Sequence, residues 1–137
     1  MTVKKIIRDQ LILSRKSNDA TKQDIAVAFN LKDTLLANKQ KAAGLAANMI
    51  GENKNIIVVF SGIQPIILIN PKIIAKAGEY RAKEGCLSLL GEREAIRYDE
   101  ISVLFYNERF EKEEKVFKGF VAEAIQHEID HCQGILI

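Results

Sequence analysis

Apolar residues recur at near-helical spacing across residues 21–40, TKQDIAVAFNLKDTLLANKQ. Ile25, Ala26, Ala28 and Phe29 are followed by Leu35 and Leu36. That period predicts an amphipathic helix, with Thr21 or Asn18 as its N-cap. The pattern then changes. Residues 42–51, AAGLAANMIG, are small and apolar and read as extended chain. Their glycines at 44 and 51 allow another backbone to approach. Apolar runs at 55–60 (NIIVVF) and 65–70 (PIILIN) read as strands, the second closed by an Asn70-Pro71 turn signal. Residues 71–92 mix short strand pieces with glycine turns. Residues 95–110 and 114–120 predict further strands, with a charged turn between them. Over 121–134 the helical period returns: Ala122, Ile125, Ile129 and Cys132 share one face, and Gly134 stands where a C-cap glycine belongs. One early helix, strands in the middle and a closing helix make this an α+β chain.

Composition narrows the function. The 137 residues, 47% hydrophobic and 28% charged, suit one core and a single domain over residues 1–137. A net charge of +2 is too small to argue for nucleic acid or an anionic membrane surface. Arg8, Asp9 and Arg15 interrupt the early apolar residues, so no signal peptide is predicted, and no apolar run is long enough to cross a bilayer. A soluble, cytoplasmic protein is expected. Cys86 and Cys132 are then expected to be reduced, each by default a small buried hydrophobe.

The only two histidines lie within QHEIDH, residues 126–131. Four residues apart on a helix, His127 and His131 present two imidazoles toward one point, where they can chelate a divalent metal. Glu128 adjoins the first ligand and can take a proton from water at the metal, whose pKa such an ion lowers toward about 7. A catalytic site usually takes a third protein ligand. No third histidine exists, so a carboxylate or a cysteine must serve. Asp130 points off the metal face. Cys86, in EGCLS (84–88), offers a thiolate suited to zinc or ferrous iron, although taken alone it reads as a buried thiol.

GLAANMIG (44–51), EGCLS (84–88) and QHEIDH (126–131) together resemble, in order and spacing, the three motifs of the peptide deformylases. LINP (68–71) and AIR (95–97) add to the likeness, which runs from about residue 21 to the end of the chain. The resemblance implies small mixed or antiparallel sheets around a C-terminal HExxH helix, plus one N-terminal helix. It implies that Cys86, His127 and His131 hold one metal ion, natively Fe(II), with Zn(II), Ni(II) or Co(II) able to replace it. It implies hydrolysis of the N-formyl group of formylmethionine on nascent bacterial polypeptides, with Glu128 as general base and then acid. The Leu87 N–H and a first-motif glutamine would stabilise the oxyanion. Backbone around Gly44 and Gly85 would pair with the peptide as an added strand. Ala43, Phe120, Ala124 and His127 would line an apolar pocket for the methionine side chain. Arg97 would pair with Glu84; the alternative for Arg97 is a solvated strand-face charge. The expected partner is the formylated nascent peptide, met at the ribosome, with neither nucleic acid nor membrane bound.

The first motif departs from the family pattern G-φ-G-φ-A-A-x-Q. Ala42 replaces the first glycine, and Met49 stands where the glutamine belongs. A thioether donates no hydrogen bond. Losing one oxyanion donor typically costs about 2.7–4 kcal/mol, roughly 10²–10³ in rate. Asn48 carries an amide but, on a strand, would face the other way. Cys132, about 100° round the helix from His131, reads as core. Two outcomes follow from these departures: a deformylase of reduced activity, or an impaired deformylase-like protein that binds formylated or otherwise N-blocked peptides.

Overall fold

The computed structural model describes residues 2–137. Five antiparallel strands form one sheet in the order β1 (Gly44–Ala46), β2 (Ile56–Ser61), β3 (Gln64–Cys86), β4 (Leu89–Tyr106) and β5 (Lys112–Lys118). Among the described residues three α-helices accompany it: α1 (Gln10–Leu13), α2 (Ile25–Ala37) and α3 (Gly119–Cys132). The expected antiparallel strands and C-terminal HExxH helix are present, the strands forming one meander. A parallel contact occurs only as the isolated bridge Asn18–Lys54 among the described residues. Among the described residues no helix is long and apolar enough to cross a membrane.

The core lies around β2. Ile56, Ile57, Val58 and Val59 are all buried, so both faces of this strand are covered. Both α2 and α3 pack on it. α2 follows a capping box in which the Thr21 side chain accepts from the Gln23 N–H and Asp24 reaches back to the Thr21 N–H. From α2, Ala28, Leu31 and Leu35 enter the core. β4 alternates beyond its midpoint: Ile101, Val103 and Phe105 are buried while Ser102 and Leu104 are half-buried, as expected for a sheet with one packed face.

The sequence signals fail at two places. Asn70-Pro71 does not end a strand. β3 runs through it, and the register with β4 slips between Ile69 and Lys72. Asn70 takes a left-handed φ of 51°, which asparagine tolerates, and its amide is bonded twice to Ala20, accepting from the N–H at 2.7 Å and donating to the carbonyl at 2.9 Å. The turn residue becomes a bulge because tertiary bonds satisfy it. Likewise the glycine turns expected in 71–92 are absent up to Cys86. Gly78 has a φ of +79° yet lies inside β3, and its neighbours Ala77 and Glu79 pair with Glu100 and Tyr98 of β4. Strand propensity yields here to pairing. α1 was not signalled at all; an Asp9 cap at 2.9 Å, the burial of Leu13 and a bond from Asn48 to the Leu13 carbonyl hold it.

α3 ends as its glycine predicts. Gly134 has φ +78°, and the N–H groups of Gly134 and Ile135 return to the carbonyls of His131 and Asp130. The N-terminal segment locks onto this end: the Ser17 N–H bonds the Cys132 carbonyl at 2.8 Å, and a Cβ at Gly134 would overlap the Ser14 carbonyl. Gly134→Ala is therefore expected to lower unfolding stability by about 2 kcal/mol or more. Gly62→Ala, also at positive φ but in open space, should cost about 1 kcal/mol. Urea denaturation midpoints compare the two, and equal losses would show that the Ser14 contact carries no weight.

Candidate metal centre

α3 carries His127, Glu128 and His131, all buried, on the side that meets β1 and β2. The end of β3 carries Glu84, Gly85 and Cys86 opposite them. Gln126 fixes the helix to the ribbon: its amide accepts from the Tyr98 N–H at 2.9 Å and donates to the Tyr98 carbonyl at 2.8 Å, replacing a missing strand partner. Gly44 permits the approach from the other side. A Cβ there would lie 2.8 Å from Val59 Cγ1 and 3.1 Å from Glu128 Cγ.

Three donor atoms converge. Cys86 Sγ lies 3.3 Å from His131 Nε2, which lies 3.2 Å from His127 Nε2, and all three donors fall within 4.8 Å of one another. Tetrahedral edges built from metal–nitrogen bonds near 2.05 Å and metal–sulfur bonds near 2.3 Å are about 3.3–3.6 Å. The two separations that meet at His131 match those edges, and the chemistry of the donor set suits a divalent ion. Two imidazole nitrogens facing each other in a buried space share a single proton at best, and a cation between them removes that conflict. The protonation balance reflects it. Burial opposes charge on His127, but its hydrogen bonds with Cys86 and Glu84 win and raise its pKa to about 10, so an ion entering the centre would displace the proton on Nε2 and free its lone pair. Burial, and then the neighbouring His127, drive His131 down to about 3.

His127 is oriented from behind. Its Nδ1 lies 2.8 Å from Glu84 Oε1, and since a carboxylate only accepts, Nδ1 carries the hydrogen and Nε2 presents its lone pair to the centre. Glu84 is in turn gripped by Arg97 through Nε (2.8 Å) and Nη2 (2.7 Å), while Arg97 Nη1 reaches Asp130 at 2.7 Å. Burial disfavours the Glu84 carboxylate, yet the His127 and Arg97 hydrogen bonds hold its pKa down at about 2. Arg97 thus pairs with Glu84, and Asp130 turns away from the donor cluster to meet it. The Glu84–His127 bond and the Gln126 clamp were not read from the sequence. Their signal is positional, since each polar residue stands one or two places before a ligand.

Glu128 is 4% exposed, its Oε1 has no hydrogen-bond partner among the described residues, and burial raises its pKa to about 7. It faces a cleft of about 390 Å³ whose walls include Ala43, Gly44, Gly85, Cys86, Leu87, Ala124 and His127. His131 lies beneath these walls, fully buried. Phe120 stands at the mouth rather than deep in the wall, being 68% exposed. Glu123 also lines the cleft, one helical turn before His127, which corrects the expectation of a purely apolar pocket.

The first motif is not extended throughout. After β1 the chain enters a short 3-10 helix, Ala47–Ile50, so strand alternation does not govern Asn48 and Met49. Asn48 Nδ2 donates to the carbonyls of His131 (2.9 Å) and Leu13 (3.3 Å), joining the helix end to α1. Met49 is 1% exposed, and its sulfur accepts the Ala46 N–H at 3.4 Å. Cys132 is buried away from the cluster, and burial pushes its thiol up to about 12. Neither cysteine is in a disulfide.

A helix bearing H-E-x-x-H along one side of a cleft, with a cysteine facing it from a sheet, is the arrangement of a metal-dependent hydrolase. Residues 3–137 match the model of the family described as polypeptide deformylase. The chain is 47% identical to a peptide deformylase of Clostridium beijerinckii over 98% of this chain and 99% of that protein. It is 38% identical to peptide deformylase 2 of Clostridium acetobutylicum over 91% and 85%. Its fold matches the Met-Ala-Ser-bound class I type b peptide deformylase of Acinetobacter baumannii with a TM-score of 0.88 at 25% identity, covering 99% of this chain and 97% of that one. It matches the peptide deformylase of Thermotoga maritima with a TM-score of 0.88 at 27% identity, covering 99% and 95%. The chain belongs to the polypeptide deformylase family.

Removing Arg97 leaves the Glu84 and Asp130 carboxylates without their cation. Arg97→Ala is expected to cost about 3–5 kcal/mol of stability, measured by urea unfolding. A loss below about 1 kcal/mol would mean that water replaces the guanidinium freely.

Proposed function

We propose that this protein is a peptide deformylase: a metal-dependent amide hydrolase, one domain over residues 1–137, that removes the formyl group from formylmethionine of nascent polypeptides. The observation that carries this reading is the convergence of Cys86, His127 and His131 beside the buried Glu128 carboxylate, whose Oε1 has no partner among the described residues, at a cleft. Cys86, His127 and His131 would hold the ion, Fe(II) natively, with Zn(II), Ni(II) or Co(II) as substitutes, since a thiolate and two imidazoles suit borderline cations. When bound, the ion supplies Lewis-acid polarisation of a carbonyl and acidifies water.

The chain's own groups do the rest. The unpaired edge of β1 at Gly44 and the backbone at Gly85 would bind the peptide as an added strand, with the formyl carbon brought to the cleft floor. Glu128 takes a proton as the water oxygen bonds to the formyl carbon. The Leu87 N–H donates to the oxygen that becomes negative. Glu128 then gives its proton to the amide nitrogen, the C–N bond breaks, and formate and a free amino terminus leave. Ala43, Ala124 and Phe120 would bound the space for the first side chain. The substrate would be met as the chain leaves the ribosome in the cytoplasm.

Met49 favours a second reading, an impaired relative that binds blocked peptides without useful turnover, because its buried sulfur accepts a hydrogen bond and donates none. Formate release from formyl-Met peptides by iron- or nickel-loaded protein separates the two. Turnover above the metal-free control, lost in Glu128→Gln, is expected; none would sink the first reading. Met49→Gln is expected to raise kcat by about 10²–10³. Glu84→Ala is expected to weaken metal affinity about 10–100-fold in chelator competition, because His127 loses the acceptor that orients it.

A further inference from the structure

The cleft takes the first side chain of the peptide between Ala43, Ala124 and Phe120, but Glu123 stands in the same wall. It occupies the α3 position one turn before His127 and is half-buried. One of its oxygens accepts from Tyr80 Oη at 3.0 Å. Beside it stands the Glu84 carboxylate, already committed to Arg97 and His127. This wall thus offers two carboxylates and one phenol donor, a surplus of acceptors. Burial above all, and then a hydrogen bond with Glu84, raise the Glu123 pKa, so with no further donor in this wall the two carboxylates hold a proton between them. A thioether cannot donate, so a methionine side chain leaves that shortage uncorrected. A side chain ending in an ammonium or amide N–H corrects it.

We propose that Glu123 is a specificity-determining residue of the side-chain pocket, and that it extends the substrate class to N-formyl peptides whose first residue ends in a cation or hydrogen-bond donor. This rests on the deformylase reading of the same cleft. Tyr80 positions the carboxylate. The exposed Lys41 and Lys83 stand at the mouth and form no ion pair with Glu123 among the described residues.

The test uses the metal-loaded protein and formyl tripeptides that begin with Met, norleucine, Gln or Lys and are otherwise identical, with kcat/KM read by formate release. The same tripeptides without the formyl group are titrated for Kd, as a readout independent of turnover. In the wild type, Lys- and Gln-first peptides are expected within about tenfold of the Met-first peptide. Glu123→Leu is expected to shift the Met-to-Lys ratio at least tenfold toward Met, in both kcat/KM and Kd. Glu123→Gln keeps the shape and removes the charge. It should lose the Lys-first peptide while retaining the Gln-first one. Ratios unchanged within twofold in both variants overturn the proposal. If no peptide yields formate but the Kd ratios shift as stated, the pocket assignment stands and the deformylase reading fails.

Discussion

Arg97 is 4% exposed and divides its donors between carboxylates from two different elements, Glu84 at the end of β3 and Asp130 on α3. That one guanidinium decides where the ribbon meets the helix. Glu84 is fixed by it, His127 is turned by Glu84, and the Nε2 lone pair of His127 then points at Cys86 and His131. A lysine could not replace it, because the two bonds to Glu84 need a planar fork. Two carboxylates on one buried cation leave a negative surplus beside the donor cluster, which favours a divalent ion there.

Backbone satisfaction, more than side-chain pattern, explains what could be read in advance. α2 and α3 were legible because their apolar residues face one core and their ends carry Thr21 and Gly134, residues whose local chemistry agrees with the global fold. The chelating pair was legible because helical spacing alone brings His127 and His131 together. Asn70-Pro71 and Gly78 misled because hydrogen bonds from Ala20 and from β4 override local turn preference. The 3-10 helix at Asn48 and Met49 was invisible for a similar reason. Its geometry is set by Asn48 reaching the carbonyls of Leu13 and His131, partners 35 and 83 residues away. Glu123 escaped notice because a helix glutamate reads as solvated until the facing wall is known.

The departure at Met49 is accommodated with little distortion. A sulfur at that position fills a buried niche and receives the Ala46 N–H within the short 3-10 helix. Stability and catalysis are separable at this residue. The packing that keeps Met49 in place says nothing against turnover, and the remaining groups around the cleft keep their orientation without it.

The two halves of the donor set belong to regions of very different robustness. His127 and His131 sit on α3, packed against β2, whose residues are covered on both faces; amide exchange there requires opening the whole domain. Cys86 and Glu84 sit at the tip of a hairpin whose middle residues, 74–79, lie in water. A cation shared by these regions would act as a clip between a well-covered body and an exposed arm. Its loss would be felt first as breathing of that arm, long before the body melts.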